Sequence, residues 1–224
     1  MPGGTRVITG VEYRRLEPSF DSEALFAFNK EHGSTPLNFI PDDAVRAHLS
    51  RIATGETIVW AAFCEGELAG FISGEKGGGY WMQTGAGEEP CCFINEFVVA
   101  PKWRGKRIGV NLTTLSVDLE MGIWAQDPSI KEMYTTVHVD NIASRTAFVK
   151  GGYRECITYR DAMRDRNTTV LKMSSVRFYD IASQLSLIGA SSSFARPLAR
   201  PPARSRHLLL LTPQHAVVLA ATAG

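Results

Sequence analysis

Residues 104–109 read Arg104-Gly105-Lys106-Arg107-Ile108-Gly109. They follow an apolar stretch closed by a proline, Phe93-Ile94-Asn95-Glu96-Phe97-Val98-Val99-Ala100-Pro101. They lead into Ile108, Leu112, Leu115 and Leu119, which recur at helical spacing. A strand apolar on both faces belongs inside a sheet. A glycine-bearing turn running from such a strand into a helix gathers several backbone N–H groups at the positive end of a helix dipole, and here cationic side chains crowd the rim. That combination can hold a pyrophosphate without a metal. A charged surface turn is the plain alternative. The strand before, the bracketing glycines and the helix after favour the anion site. Other glycine patterns fail: there is no G-x-x-x-x-G-K-[ST], and no G-x-G-x-x-G followed by an acidic residue on a second strand. Gly77-Gly78-Gly79 has no apolar-periodic helix behind it and reads as a flexible hairpin loop.

The rest of the chain supplies a frame for that turn. Alternation predicts a strand over 7–16. A helix capped by Asp21 carries Leu25 and Phe28, and a second, opened by Pro41-Asp42-Asp43, carries Val45, Leu49 and Ile52. Strands over 57–64 and 68–73 meet at Glu65-Gly66. After the strand at 92–99, the helix from Ile108 is predicted to run to about Met121. A strand over 131–139 and a helix over 142–150, stopped by Gly151-Gly152, follow. Strands over 153–159 and 169–178 are joined by a polar connector, 160–167. The order β-α-α-β-β-β-α-β-α-β-β is that of an α/β domain.

The chain has 224 residues, 44% of them hydrophobic, enough for one globular domain and something besides. All 23 acidic residues lie at or before Asp180, whereas Arg196, Arg200, Arg204 and Arg206 follow it. The body is therefore acidic on balance, and no nucleic-acid partner is expected. From residue 181 to 224 Ala, Pro, Arg and Ser dominate, and that low-complexity stretch is expected to be a disordered tail. The four cysteines, Cys64, Cys91, Cys92 and Cys156, make no C-x-x-C pair and have no histidine cluster nearby, so no metal is expected. Free thiols, no signal-peptide core at the N-terminus and no run of about 20 apolar residues lead us to expect an intracellular, cytoplasmic protein without a transmembrane segment. Nothing in the sequence speaks to oligomeric state.

A second constellation settles the comparison. Asn141 follows a strand, Ser144 stands three residues on, Phe148 seven on, and Gly152-Tyr153 eleven and twelve on. With Arg104 to Gly109, which map onto [QR]-x-x-G-x-[GA] at all but its fourth position, this resembles the GNAT superfamily of acetyl-CoA-dependent N-acetyltransferases over residues 5–178. The resemblance implies a mixed, twisted sheet of about seven strands flanked by about four helices, in which the strand at 92–99 parts from that at 131–139. It implies acetyl-CoA as acyl donor, with pantetheine in the gap against Phe97, Val98 and Val99. The pyrophosphate would sit on the amides of Arg104, Gly105, Lys106, Arg107, Ile108 and Gly109, with Asn141 and Ser144 on the cofactor side and Phe148 near the sulfur. Two positions depart from the family pattern. Arg107 stands where glycine is usual, and Phe148 stands where the common general acid is tyrosine.

Acetyl transfer to a primary amine needs that amine neutral, so a base is required. Glu96, a charged residue inside an apolar strand, is the first candidate, with pairing to a core arginine or an exposed edge as its structural alternative. His138 on the neighbouring strand is the second, with a purely structural role open to it. Asp140 is read as a turn residue. Lys102 and Lys106 can reach phosphates or simply solvate the turn, and Trp103 can cover an adenine or pack. The acceptor, a small molecule or a protein, is expected between residues 32–43 and the 160–167 connector, whose mixed charges select no class. The leading expectation is direct N-acetyl transfer in a ternary complex. The alternatives are a GNAT-like module that binds acyl-CoA and regulates a partner without turnover, for which Phe148 speaks, and transfer of a longer acyl group.

Overall fold

The computed structural model describes residues 5–33, 37, 40–77, 90–118, 121–161 and 165–174. The Gly-rich loop beyond Gly77, part of the 160–167 connector and the tail 181–224 lie outside the described residues.

Among the described residues, eight strands form one sheet. They are β1 (Thr5–Ile8), β2 (Val11–Arg15), β3 (Thr57–Cys64), β4 (Glu67–Lys76), β5 (Cys91–Val99), β6 (Glu132–His138), β7 (Arg154–Asp161) and β8 (Arg166–Ser174), in the order β1-β2-β3-β4-β5-β6-β8-β7. Every pairing is antiparallel except β5 with β6. The helices are α1 (Ser22–His32), α2 (Asp42–Ser50), α3 (Ile108–Ser116), α4 (Ile123–Gln126) and α5 (Ile142–Lys150). α1 starts where the Asp21 carboxylate accepts the Glu23 amide at 2.9 Å. α2 carries Asp42 and Asp43 in its first turn, where the helix dipole favours them.

Two predicted elements differ. The strand expected over 7–16 is a hairpin, because Thr9 and Gly10 take φ of 48° and 78°, the two positive torsions of a tight hairpin turn. The helix from Ile108 stops at Ser116 rather than near Met121. There Asp118 takes the Met121 amide on its side chain at 3.1 Å and the Gly122 amide on its carbonyl at 2.9 Å, and its carboxylate also pairs with Arg6 at 2.9 Å.

The sheet is covered on both sides. α1 and α2 bury Leu25, Val45 and Leu49 against Val59, Phe71 and Val98. On the other face, Leu112, Leu115 and Phe148 pack with Trp60, Ile72, Ile94 and Tyr153. α3 and α5 approach closely through small residues. A Cβ at Gly151 would stand 2.3 Å from Thr113 Oγ1, and one at Gly109 would stand 2.9 Å from Phe97 Cζ. Thr113 Oγ1 donates across that contact to the Ala147 carbonyl at 3.1 Å. Gly151 thus lets α5 sit against α3, and Gly109 lets α3 sit against β5.

The sheet forks at its centre. β5 and β6 pair only from Cys91↔Glu132 to Ile94↔Thr135. Beyond that point β5 stays with β4 as far as Gly70↔Val99, and β6 stays with β8 as far as His138↔Thr168. The register against β4 skips Asn95, a bulge that bends β5 at the fork. Thr135 Oγ1 donates to the Ile94 carbonyl at 3.2 Å and closes the crotch.

Candidate functional site

The bulge also decides which way β5 points its side chains. Ile94 and, past the bulge, Phe97 and Val99 lie on the α3/α5 side, whereas Glu96 and Val98 lie on the α1/α2 side. The open stretch of β5 therefore offers an apolar row to one face and a carboxylate to the other.

β5 runs through Pro101–Trp103, a short 3₁₀ turn, into the basic turn. Gly105 has φ 80° and Arg107 has φ 61°, so the chain turns through two left-handed residues before α3 begins. Glycine meets that torsion freely, whereas at Arg107 it costs about 1 kcal/mol. The Arg104 amide bonds back to the Pro101 carbonyl at 3.2 Å. The N–H groups from Gly105 to Val110 make no backbone bond among the described residues. They belong to the turn and the first turn of α3, where a helix leaves its donors unsatisfied. The side chains of Arg104, Lys106 and Arg107 are exposed around them.

The cations are not equivalent. The Lys106 ammonium stands 4.3 Å from the Trp103 ring centroid, and Trp103 itself is packed in the core. Lys102 is engaged by the Glu67 carboxylate, whose hydrogen bond holds the ammonium above its usual range. Arg104 Nε donates to the Val99 carbonyl at 3.2 Å, tying the turn to the open end of β5.

Asn141 caps α5, its side-chain oxygen accepting the Ser144 amide at 3.2 Å. Phe148 is 1% exposed and meets Phe97 and Tyr153 edge-on, at centroid distances of 5.1 and 5.0 Å. Phe97, half-buried, belongs to the open stretch of β5 and links it to Phe148. Burial pushes the Tyr153 hydroxyl above the ordinary tyrosine range, and it is 3.4 Å from Ser116 Oγ. This neighbouring phenol is thus neutral and committed to the core.

Glu96 is 2% exposed. Its Oε2 accepts the Ser73 hydroxyl and lies 2.5 Å from His48 Nδ1, and among the described residues it pairs with no arginine. Among the described residues its other oxygen, Oε1, has no hydrogen-bond partner. His138 lies across the fork, by alternation on the same face of the sheet as Tyr134, and its Nδ1 accepts the Asp140 amide at 3.0 Å. His48 is the residue that sequence reasoning passed over. It occupies the buried stripe of α2 three residues after Val45, and a histidine inside an apolar stripe was the available signal. The expected acceptor region is tied together at one point, where Arg166 donates to the Leu37 carbonyl at 3.3 Å. Among the described residues no cluster of His, Cys, Asp or Glu could hold a metal ion, and no helix is long and apolar enough to cross a membrane.

The profile of the acetyltransferase (GNAT) family matches residues 23–153, more than half of the chain. Solved structures share the fold. An acetyltransferase of the GNAT family from Streptococcus pneumoniae aligns with TM-score 0.54 at 16% identity, covering 73% of this chain and 98% of its own. NAA60 from Arabidopsis thaliana, in complex with acetyl-CoA, aligns with TM-score 0.55 at 16% identity, covering 74% and 99%. A chimera of the spermidine N-acetyltransferase SpeG from Vibrio cholerae and hSSAT aligns with TM-score 0.55 at 13% identity, covering 77% and 99%. A search of curated proteins returned no significant match.

Proposed function

The chain belongs to the acetyltransferase (GNAT) family, and from that membership and the site we propose that it transfers the acetyl group of acetyl-CoA to a primary amine by direct attack in a ternary complex. One observation carries the reading: unclaimed amides of a left-handed turn stand at the head of α3, ringed by exposed cations, beside a forked sheet. That arrangement fits a diphosphate. Phe97, Val98 and Val99 would line the pantetheine arm, with Asn141 and Ser144 across the fork. The reading is supported by structural neighbours, one in complex with acetyl-CoA and one named a spermidine N-acetyltransferase.

When bound, acetyl-CoA supplies an acetyl group on a thiol leaving group of pKa about 8.5. Glu96 Oε1 takes one proton from the acceptor ammonium, whose pKa lies near ~10.4, and becomes the neutral acid. The freed nitrogen forms the C–N bond as the C–S bond breaks. A second proton of the original ammonium leaves with the thiol, and the third stays on the amide. Backbone N–H groups near Val98 polarise the thioester oxygen. Phe148 donates no proton, and a thiol of this acidity departs without a general acid, its proton coming from the attacking nitrogen. His138 keeps its Nδ1 on the Asp140 amide, which favours Glu96 as the base.

The reading is tested by calorimetry with acetyl-CoA and with coenzyme A up to millimolar concentration. Heat of binding is expected for both, and none for either overturns it. A second reading has Phe148 behind it: a module that holds acyl-CoA without turnover. Thiol release with a panel of amines separates the two, since binding without release from any amine selects the module. Phe148→Tyr is expected to keep or raise kcat of the folded enzyme. The added hydroxyl enters a buried site, so a loss of about 1–3 kcal/mol in stability accompanies it. Thermal melts and thiol-release kinetics read both effects, and a large fall in kcat at unchanged folding would give the ring another task.

A further inference from the structure

His48 is 6% exposed in the apolar stripe between α2 and the sheet. Enclosing a polar ring there is costly unless its nitrogens find partners. One does: Nδ1 lies 2.5 Å from Glu96 Oε2. The other, Nε2, is buried and has no partner among the described residues. Ser73 Oγ accepts the Glu96 amide at 3.3 Å, which directs the Ser73 proton onward to Glu96 Oε2. A buried N–H without an acceptor is the rarer and costlier orphan. The ring is therefore best served with its proton on Nδ1, shared with the carboxylate, and a bare lone pair at Nε2. Oε2 then accepts from two donors, one on the adjacent strand and one on the covering helix. Two donors from different elements fix the carboxylate plane, and the unbonded Oε1 is the oxygen left to meet a substrate.

We propose that His48 is a positioning residue for Glu96, holding the carboxylate so that Oε1 receives the acceptor's proton. The proposal rests on the transferase reading above. His48 keeps its Nδ1 proton throughout, and the proton taken from the ammonium resides on Glu96 Oε1. The helix that covers the acceptor side of the sheet thereby helps to set the geometry of the base.

The test compares His48→Leu with His48→Asn, whose amide nitrogen stands near the position of Nδ1. Both are measured by thiol release from acetyl-CoA with spermidine, lysine amide and a peptide bearing a free N-terminus. His48→Leu is expected to lower kcat by about 10–100-fold, the scale of a misplaced catalytic group. His48→Asn is expected to stay within about threefold of wild type, and both should bind acetyl-CoA with unchanged Kd. Nitrogen-15 spectra of the wild-type histidines should show His48 protonated at Nδ1, a signature that simple filling of the core does not require. Equal kcat for the two variants at matched Tm, or a proton on Nε2 alone, overturns the positioning role and leaves the transferase reading standing. Binding of acetyl-CoA with no thiol release for any of the three amines overturns the transferase reading, and this one with it.

Discussion

Glu96→Gln is expected to lower kcat by about 10²–10⁴-fold, the usual worth of a general base, with Tm and acetyl-CoA affinity near those of wild type. The substitution suits this site because the two oxygens differ. Oε2 accepts the Ser73 hydroxyl and faces His48, whereas Oε1 has no partner among the described residues. A glutamine can put its carbonyl oxygen where Oε2 stands, keeping both donors, and its NH₂ where Oε1 stands. The buried network then survives while the proton acceptor is lost. A truncation such as Glu96→Ala is less informative, since it strands buried donors, each costing about 1–3 kcal/mol. Kinetics under saturating acetyl-CoA, with thermal melts on the same samples, separate the roles. Unchanged kcat in a folded Glu96→Gln protein would make the carboxylate structural and return His138 to the front.

How far the sequence reached depends on the range of the physics involved. The turn at 104–109 was legible because strand, glycine and helix are local patterns, and Ile108 begins α3 as its periodicity predicted. The helix over 142–150 was legible in the same way, with a capping Asn141 before it and Gly151 after. The hairpin at Thr9-Gly10 was missed because its flanks are both β-rich and only a single glycine marks the turn. The bulge at Asn95 carries no local mark at all. It follows from the pairing of β5 with β4, yet it decides that Glu96 faces α2 while Phe97 faces α3. The partners of Glu96 were equally out of reach, for His48 is 48 residues away along the chain and Ser73 is 23. Sequence placed a carboxylate in an apolar strand, and tertiary pairing determined what that carboxylate touches.

The combined reversal Arg104→Glu, Lys106→Glu and Arg107→Glu is expected to weaken acetyl-CoA binding by about 10²–10³-fold with a modest change in Tm. All three side chains are exposed, so the fold barely depends on them. The variant loses the Lys106 contact with Trp103 and the Arg104 bond to Val99, roughly 1 kcal/mol in all. Against a diphosphate each site exchanges an attraction for a repulsion. At roughly 1 kcal/mol or slightly more per exposed reversal, three give about 3–4 kcal/mol, which is the stated range in Kd. Salt provides an internal control. Wild-type affinity should fall as ionic strength rises through the range where the screening length shrinks to about 8 Å, while the reversed protein, relieved of repulsion, should fall less or improve. The effect belongs to side chains, so the amides from Gly105 to Val110 remain in place and residual binding reports what the backbone contributes alone. If calorimetry finds the reversed protein folded and binding as tightly as wild type, the diphosphate does not sit at the head of α3, and the cofactor placement argued here is wrong.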